Sequence, residues 1–213
     1  MIDDYFDAAQ RYLPRRDPLA LDLDGDGLET TGFSAQNPIW FDHDINGSAE
    51  GTGWLNSDDG FLVLDRNGNG TIDDGSELFG DHTPLNDGSG NAANGFAALA
   101  QEDSNADGLV NNQDAHWNDL RVWRDLNQDG ISQSGELFTL SDIGITGINI
   151  ASEGASNDQG NGNQVSATGS FIWADGHEGI VGTGQAGDID FSVDTFHSTF
   201  TDTIELIDGV EEL

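Results

Sequence analysis

The sequence contains no cysteine and no lysine, and its six basic residues are all arginine. Without cysteine there can be no disulfide, no thiolate catalysis and no cysteine-based zinc site. The 40 acidic residues give a formal net charge of −34, which argues against nucleic acid or an anionic membrane surface as a partner. No apolar run approaches the roughly 18 residues of a membrane-spanning helix, so we expect no membrane insertion. The start, Met1-Ile2-Asp3-Asp4, has neither the basic nor the apolar segment of a signal peptide.

Aspartate and glycine dominate the composition instead. Asp accounts for 30 of the 40 acids and Gly for 29 residues, and Asp favours loops, caps and oxygen-ligand sites over helix interiors. The hydrophobic fraction of 35%, with five Trp and eleven Phe, is sufficient for a core. Because a charge of −34 opposes compaction, we expect bound metal ions, in place of sulfur, to staple the fold.

Hydrophobic patterning predicts short elements of both kinds. Helices are predicted at 2–13, 95–102 and 113–120. Leu19, Leu21 and Leu23 alternate with Ala20 and Asp22, which predicts a strand with one apolar and one carboxylate face. Further predictions are strands at 39–41, 61–64, 120–123, 171–173, 179–181 and 189–193, a mobile loop at 153–170 and an acidic tail at 197–213. We therefore expect an α+β fold, with short antiparallel strands and short helices around EF-hand-like loops, one main core and a monomeric state.

Three segments match the calcium loop of an EF-hand, which presents oxygen ligands at positions 1, 3, 5, 7 and 12 and glycine at position 6. The loop that starts at Asp125 meets every term, and the loop at Asp103 does so with a shorter final acid, between two predicted helices. The loop at Asp65 lies 60 residues before its Asp125 counterpart, and its Glu77 arrives one residue late, so Asp73 is an alternative. The predicted ligands are Asp65, Asn67, Asn69, Thr71 (carbonyl) and Glu77; Asp103, Asn105, Asp107, Leu109 (carbonyl) and Asp114; and Asp125, Asn127, Asp129, Ile131 (carbonyl) and Glu136.

Two further loops match only in part. They present Asp22, Asp24 and Asp26, and Asp42, Asp44 and Asn46, but position 12 carries no acid in either. Each must therefore borrow a ligand, for which Glu29 and Glu50 are near in sequence, or bind weakly. One isolated match would equally be an ordinary turn, whereas three full and two partial matches together favour calcium as the cofactor.

Two other patterns are set aside. The five histidines, His43, His82, His116, His177 and His197, are scattered and lack zinc-site spacing, so we interpret them as satisfied or exposed residues. Gly182–Gly187 matches a dinucleotide-binding pattern but runs into a predicted strand instead of a helix, so we interpret it as a turn.

Asp17-Pro18 is the sole Asp-Pro bond of the sequence and lies where the helical pattern changes to strand. With the segments 17–30, 40–44, 52–54 and 58–80, it carries a resemblance over roughly 18 to 195. The sequence resembles the calcium-dependent self-processing module of iron-regulated RTX proteins of the FrpC type. The resemblance implies that calcium triggers cleavage of this bond, with Asp17 as the reacting aspartate and Pro18 as the new N-terminus. It further implies a released flank at 1–17, a module at 18–196, transfer of the freed aspartyl end to a lysine amine, and type I secretion to the extracellular space or cell surface.

The same chemistry follows from the residues. The Asp17 carboxylate can attack its own peptide carbonyl and close a five-membered cyclic anhydride, while the Pro18 nitrogen leaves. A prolyl amide is tertiary, so a fold distorts it more readily than an ordinary peptide. The leucine face on one side and calcium-bound Asp22 on the other could apply this twist, and Arg15 or Arg16 could favour the carboxylate. Water or an amine would then open the anhydride.

Because the chain has no lysine, a lysine acceptor must belong to another protein or to a part of the parent outside this sequence. A non-catalytic, calcium-stiffened spacer or binding module of a secreted adhesin explains the charge and the loops equally well. A calcium-dependent protease or glycan hydrolase acting in trans has little support, since 40 acids make carboxylate pairs inevitable.

Overall fold

The computed structural model describes residues 15–174 and 182–201. Within these residues the chain forms fourteen strands and one five-residue helix, so the predicted α+β class is wrong and the fold is almost entirely β. The helix predicted at 2–13 and the tail beyond residue 201 lie outside the described residues, as does the strand predicted at 179–181.

The elements are short except at the C-terminal end. In chain order the strands are β1 Arg15–Arg16, β2 Leu19–Leu21, β3 Thr30–Thr31, β4 Ile39–Phe41, β5 Ser48–Thr52, β6 Trp54–Leu55, β7 Gly60–Leu64, β8 Leu109–Asn111, β9 Leu120–Trp123, β10 Leu137–Thr139, β11 Ile145–Asn149, β12 Glu153–Asp158, β13 Gln164–Trp173 and β14 Thr183–Phe200, and the helix α1 is Gly95–Leu99.

One twelve-stranded sheet dominates the molecule, with the order β10-β9-β7-β2-β14-β13-β11-β8. Strand β14 is its organising element, because it pairs antiparallel with β13, β2, β1 and β5. Strand β4 extends the sheet from β5 and β12 extends it from β13, while β3 and β6 form a separate pair. The strands on either side of Asp17-Pro18 are therefore both held by β14.

The sheet is buried on both faces. Leu19 and Leu21 of β2 point into one hydrophobic cluster, whereas Ala20 between them points into a second. Strand β7 alternates in the same way, with Leu62 in the first cluster and Phe61 in the second. The prediction of one main core is therefore wrong. The predicted carboxylate face of β2 is also wrong, because Ala20 faces the second core and the strand ends at Leu21, before Asp22.

The second core contains a dense group of aromatic rings. Trp54 lies 4.9 Å from Phe61 and 5.4 Å from Trp123, measured between ring centroids, with the rings edge to face. Such pairs add about 0.5–1.5 kcal/mol each beyond the burial of their area. The Trp54 indole N–H donates to Oδ2 of Asp125 at 2.8 Å, so this core also fixes the first residue of a predicted calcium loop.

Only one of the two helices predicted inside the described part of the chain forms, and it is short. Helix α1 is capped by Asn94, whose Oδ1 accepts a hydrogen bond from the Ala97 N–H at 2.8 Å. The helix predicted at 113–120 is wrong. There Asp114 accepts the backbone N–H of Asn111 and donates its own N–H to the Asn111 carbonyl, and such local bonds compete with helix formation.

Two segments interpreted as irregular are strands. The predicted mobile loop at 153–170 is the β12–β13 hairpin, whose turn closes with Gln159 N–H donating to the Asn163 carbonyl at 3.0 Å. Gly160 and Gly162 supply the positive φ angles, 73° and 95°, that this turn requires. The predicted turn at 182–187 is likewise wrong, because β14 begins at Thr183. The β12 part of the first segment is exposed, whereas Gly184 and Gly187 in the second lie against Phe171 and Leu28, where a Cβ atom would not fit.

Candidate functional site

The Asp17-Pro18 peptide interrupts what is otherwise one continuous strand. Strands β1 and β2 pair with β14 in the same unbroken register, so the dipeptide lies opposite residues 190 and 189. The Ile189 N–H donates to the Pro18 carbonyl at 3.1 Å, and the Leu19 N–H donates to the Phe79 carbonyl at 2.8 Å. The bond is therefore anchored on its upstream and downstream sides by the same strand, and Pro18 is buried.

The Asp17 carboxyl group is fixed by the segment that follows β7. Its Oδ1 accepts the backbone N–H of Asp81 at 2.7 Å. Burial raises the pKa of Asp17 to about 9, and the negative charges of Asp188 and Asp81 raise it further than the Asp81 N–H lowers it. The Asp17 carboxyl group is therefore protonated at neutral pH.

Gly80 lies directly against the Asp17 peptide carbonyl. A Cβ atom at residue 80 would lie 3.0 Å from the carbonyl oxygen of Asp17 and 3.4 Å from both its carbonyl carbon and its Oδ1. The absence of a side chain at this position lets the loop approach the reacting atoms closely.

A small pocket opens beside the bond. Arg16, Asp17, Pro18, His43 and His82 are among the residues that line it. The neighbouring residue Asp81 contacts His82 through its Oδ1, 2.6 Å from the imidazole Nδ1. Sequence reasoning identified neither of these residues as part of the site.

A third residue missed from the sequence is Asp188 in β14. Its side chain is 1% exposed and accepts the Gly95 N–H at 3.1 Å. Burial raises the pKa of Asp188 to about 7, against the lowering effect of that hydrogen bond. Asp188 and Asp81 are 171 and 64 residues from Asp17, so no local pattern could associate them with it.

The described histidines do not form a metal site. His43 is buried, lies 3.2 Å from Thr52 Oγ1 through its Nε2, and burial lowers its pKa to about 3, with smaller contributions from Arg16 and His82. His82, His116 and His197 each contact a carboxylate, and His177 lies outside the described residues.

All five predicted calcium loops adopt one backbone conformation. Positions 4 and 6 are left-handed in each loop, and position 4 is a non-glycine residue in three of them, namely Ile45, Ala106 and Gln128. In every loop both carboxylate oxygens of the first Asp accept backbone N–H groups. These first residues are Asp22, Asp42, Asp65, Asp103 and Asp125. The first acid therefore holds each of the five loops through the same backbone contacts.

The closing acids of the three complete loops fold back onto the start of their own loops. Glu136 accepts the N–H groups of Leu126 and Gln133, at 3.0 and 3.2 Å. Glu77 accepts the N–H of Arg66 at 3.1 Å although it comes one residue later in its loop. Asp114 accepts the N–H of Ser104 at 2.8 Å. One extra residue is thus accommodated without loss of the closing contact.

Strands flank the loops at 65 and 125, and the strands predicted at 61–64 and 120–123 are confirmed as β7 and β9. Each of the 65 and 125 loops follows a strand, β7 or β9, and returns beside it, with Leu64 N–H donating to the Glu77 carbonyl and Arg124 N–H donating to the Glu136 carbonyl, both at 2.9 Å. The predicted EF-hand-like organisation is therefore a strand–loop–strand unit at these two loops.

The two partial loops obtain acids from elsewhere. Asp42, Asp44 and Glu50 bring carboxylate oxygens within 4.8 Å of one another, so Glu50 is close enough to complete its loop, as expected. Asp22 and Asp24 are joined by Asp59, which the sequence reasoning missed and which also groups with Asp58 and Glu29. Asp26 belongs to none of these groups.

Several oxygens of these acidic groups are buried without a hydrogen-bond partner. They are Oε2 of Glu50, Oδ1 of Asp44 and Oε2 of Glu29. Burial raises the pKa of Glu29 and Asp59 to about 7, and burial followed by the Asp44 charge raises that of Glu50. Buried acceptors that lack a donor are costly unless a cation satisfies them, so the residues present fit a bound oxygen-seeking cation such as calcium.

No helix in the described part of the chain has the length and apolar character needed to cross a bilayer. Comparison with known proteins places this fold in a family. The SPM domain matches residues 19–191, which run from β2 into β14. The chain belongs to the SPM domain family. The iron-regulated protein FrpA of Neisseria meningitidis serogroup C is 50% identical to this chain over 190 residues.

The aligned region covers 89% of this chain but 16% of FrpA. This chain therefore spans a small part of the length of that relative. The match confirms the expected relation to iron-regulated proteins of the FrpC type at the level of the family. Calcium-dependent cleavage stays a prediction.

Proposed function

We propose that this SPM domain cleaves its own Asp17–Pro18 bond when its acidic loops bind calcium. The freed acyl end of Asp17 is then hydrolysed or transferred to a lysine amine of another protein. The observation that carries this proposal is the position of the bond, in a gap between two strands that β14 holds in one register. The Asp17 carboxyl group at this gap is fixed by the Asp81 N–H.

Fixing both partners of an intramolecular reaction is what gives it a high effective molarity. The Asp17 carboxyl oxygen and its own peptide carbon need to form a five-membered ring, and such well-oriented reactions reach effective molarities of about 10⁵ M or more. The Asp81 N–H holds the carboxyl group, and Gly80 lies against the carbonyl that is attacked. Pro18 leaves as a secondary amine that remains anchored through β2.

The protonation state of Asp17 supports a reaction without net uptake of acid or base. With its pKa raised to about 9, mainly by burial, the carboxyl group carries a proton at neutral pH. Attack on the carbonyl releases this proton, and departure of the Pro18 nitrogen consumes one. The atoms balance when the proton moves from the carboxyl oxygen to that nitrogen while the C–O bond forms and the C–N bond breaks.

Calcium, when bound, neutralises clustered carboxylates and so stabilises the folded chain. The residues that would hold it are the predicted ligands of the five loops, joined by Glu29, Glu50, Asp58 and Asp59. Support comes from the unpartnered buried oxygens of Glu50 and Asp44. Millimolar extracellular calcium against low cytosolic calcium makes secretion to the extracellular space or cell surface the setting that suits such a trigger.

An intact-mass time course at neutral pH, in calcium and in chelator, tests the proposal. We expect fragments 1–17 and 18–213 to form in calcium and not in chelator, and we expect no fragments from Asp17→Ala in either. Asp87→Ala, an exposed acid outside every predicted site, is the matched control and should cleave normally. Added hydroxylamine should yield a hydroxamate on Asp17 if an anhydride forms, and an added lysine peptide should yield an isopeptide. An unchanged mass in a protein that folds on calcium would favour the non-catalytic spacer instead.

A further inference from the structure

Asp17 is one end of a chain of contacts that leads to solvent. The Asp81 backbone N–H donates to Oδ1 of Asp17 at 2.7 Å, and Oδ1 of Asp81 lies 2.6 Å from Nδ1 of His82. Asp17, Asp81 and His82 line the same pocket, so the two carboxyl groups and the imidazole lie next to one another. The His82 side chain is 25% exposed and therefore reaches water.

We propose that Asp81 and His82 form the path by which the Asp17 proton leaves when the carboxyl group attacks, and by which a proton returns to the Pro18 nitrogen. This inference rests on the proposed self-cleavage. Imidazole is the side chain best suited to exchange a proton near neutral pH. His82 and Pro18 line the same pocket, so the imidazole has a route to the leaving nitrogen.

The steps balance within the chain. The Asp17 oxygen forms its bond to the peptide carbon and passes its proton to Asp81, which gives a proton to Nδ1 of neutral His82. The C–N bond then breaks, the imidazolium ion returns a proton to the Pro18 nitrogen, and an anhydride and a secondary amine result. No oxidant, reductant or external acid is required.

Several other charged or titratable groups lie beside this path. Arg16 and His43 line the pocket from β1 and from the end of β4. Asp188, which lies in β14, raises the pKa of Asp17. Asp190 lies in the same strand, β14, at the position opposite Asp17. All of these groups are retained in the variants described next, so a changed pH profile reports the path itself.

His82→Asn tests the assignment, because an amide can still donate to Asp81 but cannot titrate. We expect the calcium-triggered cleavage rate at neutral pH to fall by about 10- to 100-fold, since acid–base assistance of this kind contributes factors of about 10²–10⁴. We also expect the pH at which the cleavage rate increases to be higher in this variant than in the wild type, because Asp17 must then lose its proton without help from His82. Asp81→Asn should shift the profile similarly. His197→Asn is the matched control, because His197 contacts Asp194 through Nδ1 at 2.7 Å on an exposed part of β14.

A rate that falls equally at every pH would overturn the proton path, since that is the outcome of a purely positional role. So would a wild-type profile in His82→Asn. Calcium affinity measured by calorimetry should be the same in all variants. As a second readout, added imidazole should restore the cleavage rate of His82→Ala, and no restoration would contradict the path. If the wild-type chain does not cleave, the proposed function itself fails. If it cleaves and the variants behave as the control, only this inference fails.

Discussion

Gly80→Ala is the sharpest test of whether the loop at residue 80 positions the reacting carbonyl. The new Cβ atom would lie 3.0 Å from the Asp17 carbonyl oxygen, whereas ordinary contact begins at 3.4 Å. Either the carbonyl or the loop must therefore move by about 0.4 Å. The carbonyl belongs to the Asp17–Pro18 peptide, and the loop supplies the Asp81 N–H that holds the attacking carboxyl group. Movement of either one changes their relative position.

The expected effect on rate follows from this displacement. A misplacement of about 1 Å can cost about 100-fold in a reaction that depends on alignment. On a logarithmic scale, 0.4 Å then corresponds to a slowing of about six-fold. Stability should change little, because replacing glycine by alanine reduces the entropy of the unfolded chain and offsets part of the strain, by about 0.4–1 kcal/mol.

The assay is the calcium-triggered cleavage rate from intact mass, with calcium binding measured in parallel. Gly154→Ala on exposed β12 is the matched control, because a Cβ atom there meets nothing within 4 Å. We expect Gly154→Ala to cleave at the wild-type rate and Gly80→Ala to cleave several-fold more slowly with unchanged calcium affinity. Equal rates in the two variants would refute the idea that contact at residue 80 aligns the bond.

Three other variants probe charge, metal and backbone. Asp188→Asn removes a charge that raises the pKa of Asp17, so that pKa falls and the rise of cleavage rate should move to lower pH; an unmoved profile contradicts this electrostatic account. Glu50→Gln should weaken calcium binding by about ten-fold in calorimetry, whereas Glu153→Gln on exposed β12 should not, and equal affinities would remove Glu50 from the site. Ala106 has a φ of 59°, a left-handed conformation that glycine adopts without strain. In an Asp17→Ala background that cannot cleave, Ala106→Gly should therefore raise the free energy of unfolding, measured in urea with calcium present, by up to about 1 kcal/mol. A lower free energy of unfolding would show that the greater entropy of the unfolded glycine chain dominates.

The conformation of the five acidic loops could be predicted from sequence because its determinants are local. Within twelve or thirteen residues, Asp125 and Glu136 specify a turn whose first acid accepts two backbone N–H groups and whose last acid returns to the start. The strands before the loops at 65 and 125 could also be predicted, because continuous apolar runs at 61–64 and 120–123 precede them, and β7 and β9 confirm both. The helix predicted after the Asp103 loop, at 113–120, does not form.

The overall class was missed because helical spacing in short polar segments is weak information. Residues 113–120 place apolar side chains at helical intervals, but the Asp114 carboxylate binds the Asn111 N–H and turns the chain instead. The Asp17 environment could not be predicted either. Its carboxyl group is surrounded by Asp81 and Asp188, which only the sheet and the loop after β7 bring near, and Asp59 joins the first calcium loop in the same long-range manner.

Arg16 physically links the two parts of the proposed mechanism. It directly precedes Asp17, and its guanidinium group lies 2.8 Å from Oδ2 of Asp44, one of the acids grouped with Asp42 and Glu50. A calcium ion bound by Asp42, Asp44 and Glu50 would share Asp44 with the Arg16 guanidinium group. Because Arg16 belongs to β1, calcium binding at this loop and the position of β1 would then depend on each other. Linkage of this kind is reciprocal. If bound calcium changes the stability of β1 in its position on β14, then fixing β1 in that position changes the free energy of calcium binding by the same amount. Loss of the 1–17 flank after cleavage therefore also removes a cation that competes for Asp44, and the cleaved domain should bind calcium at this loop more tightly than the intact one.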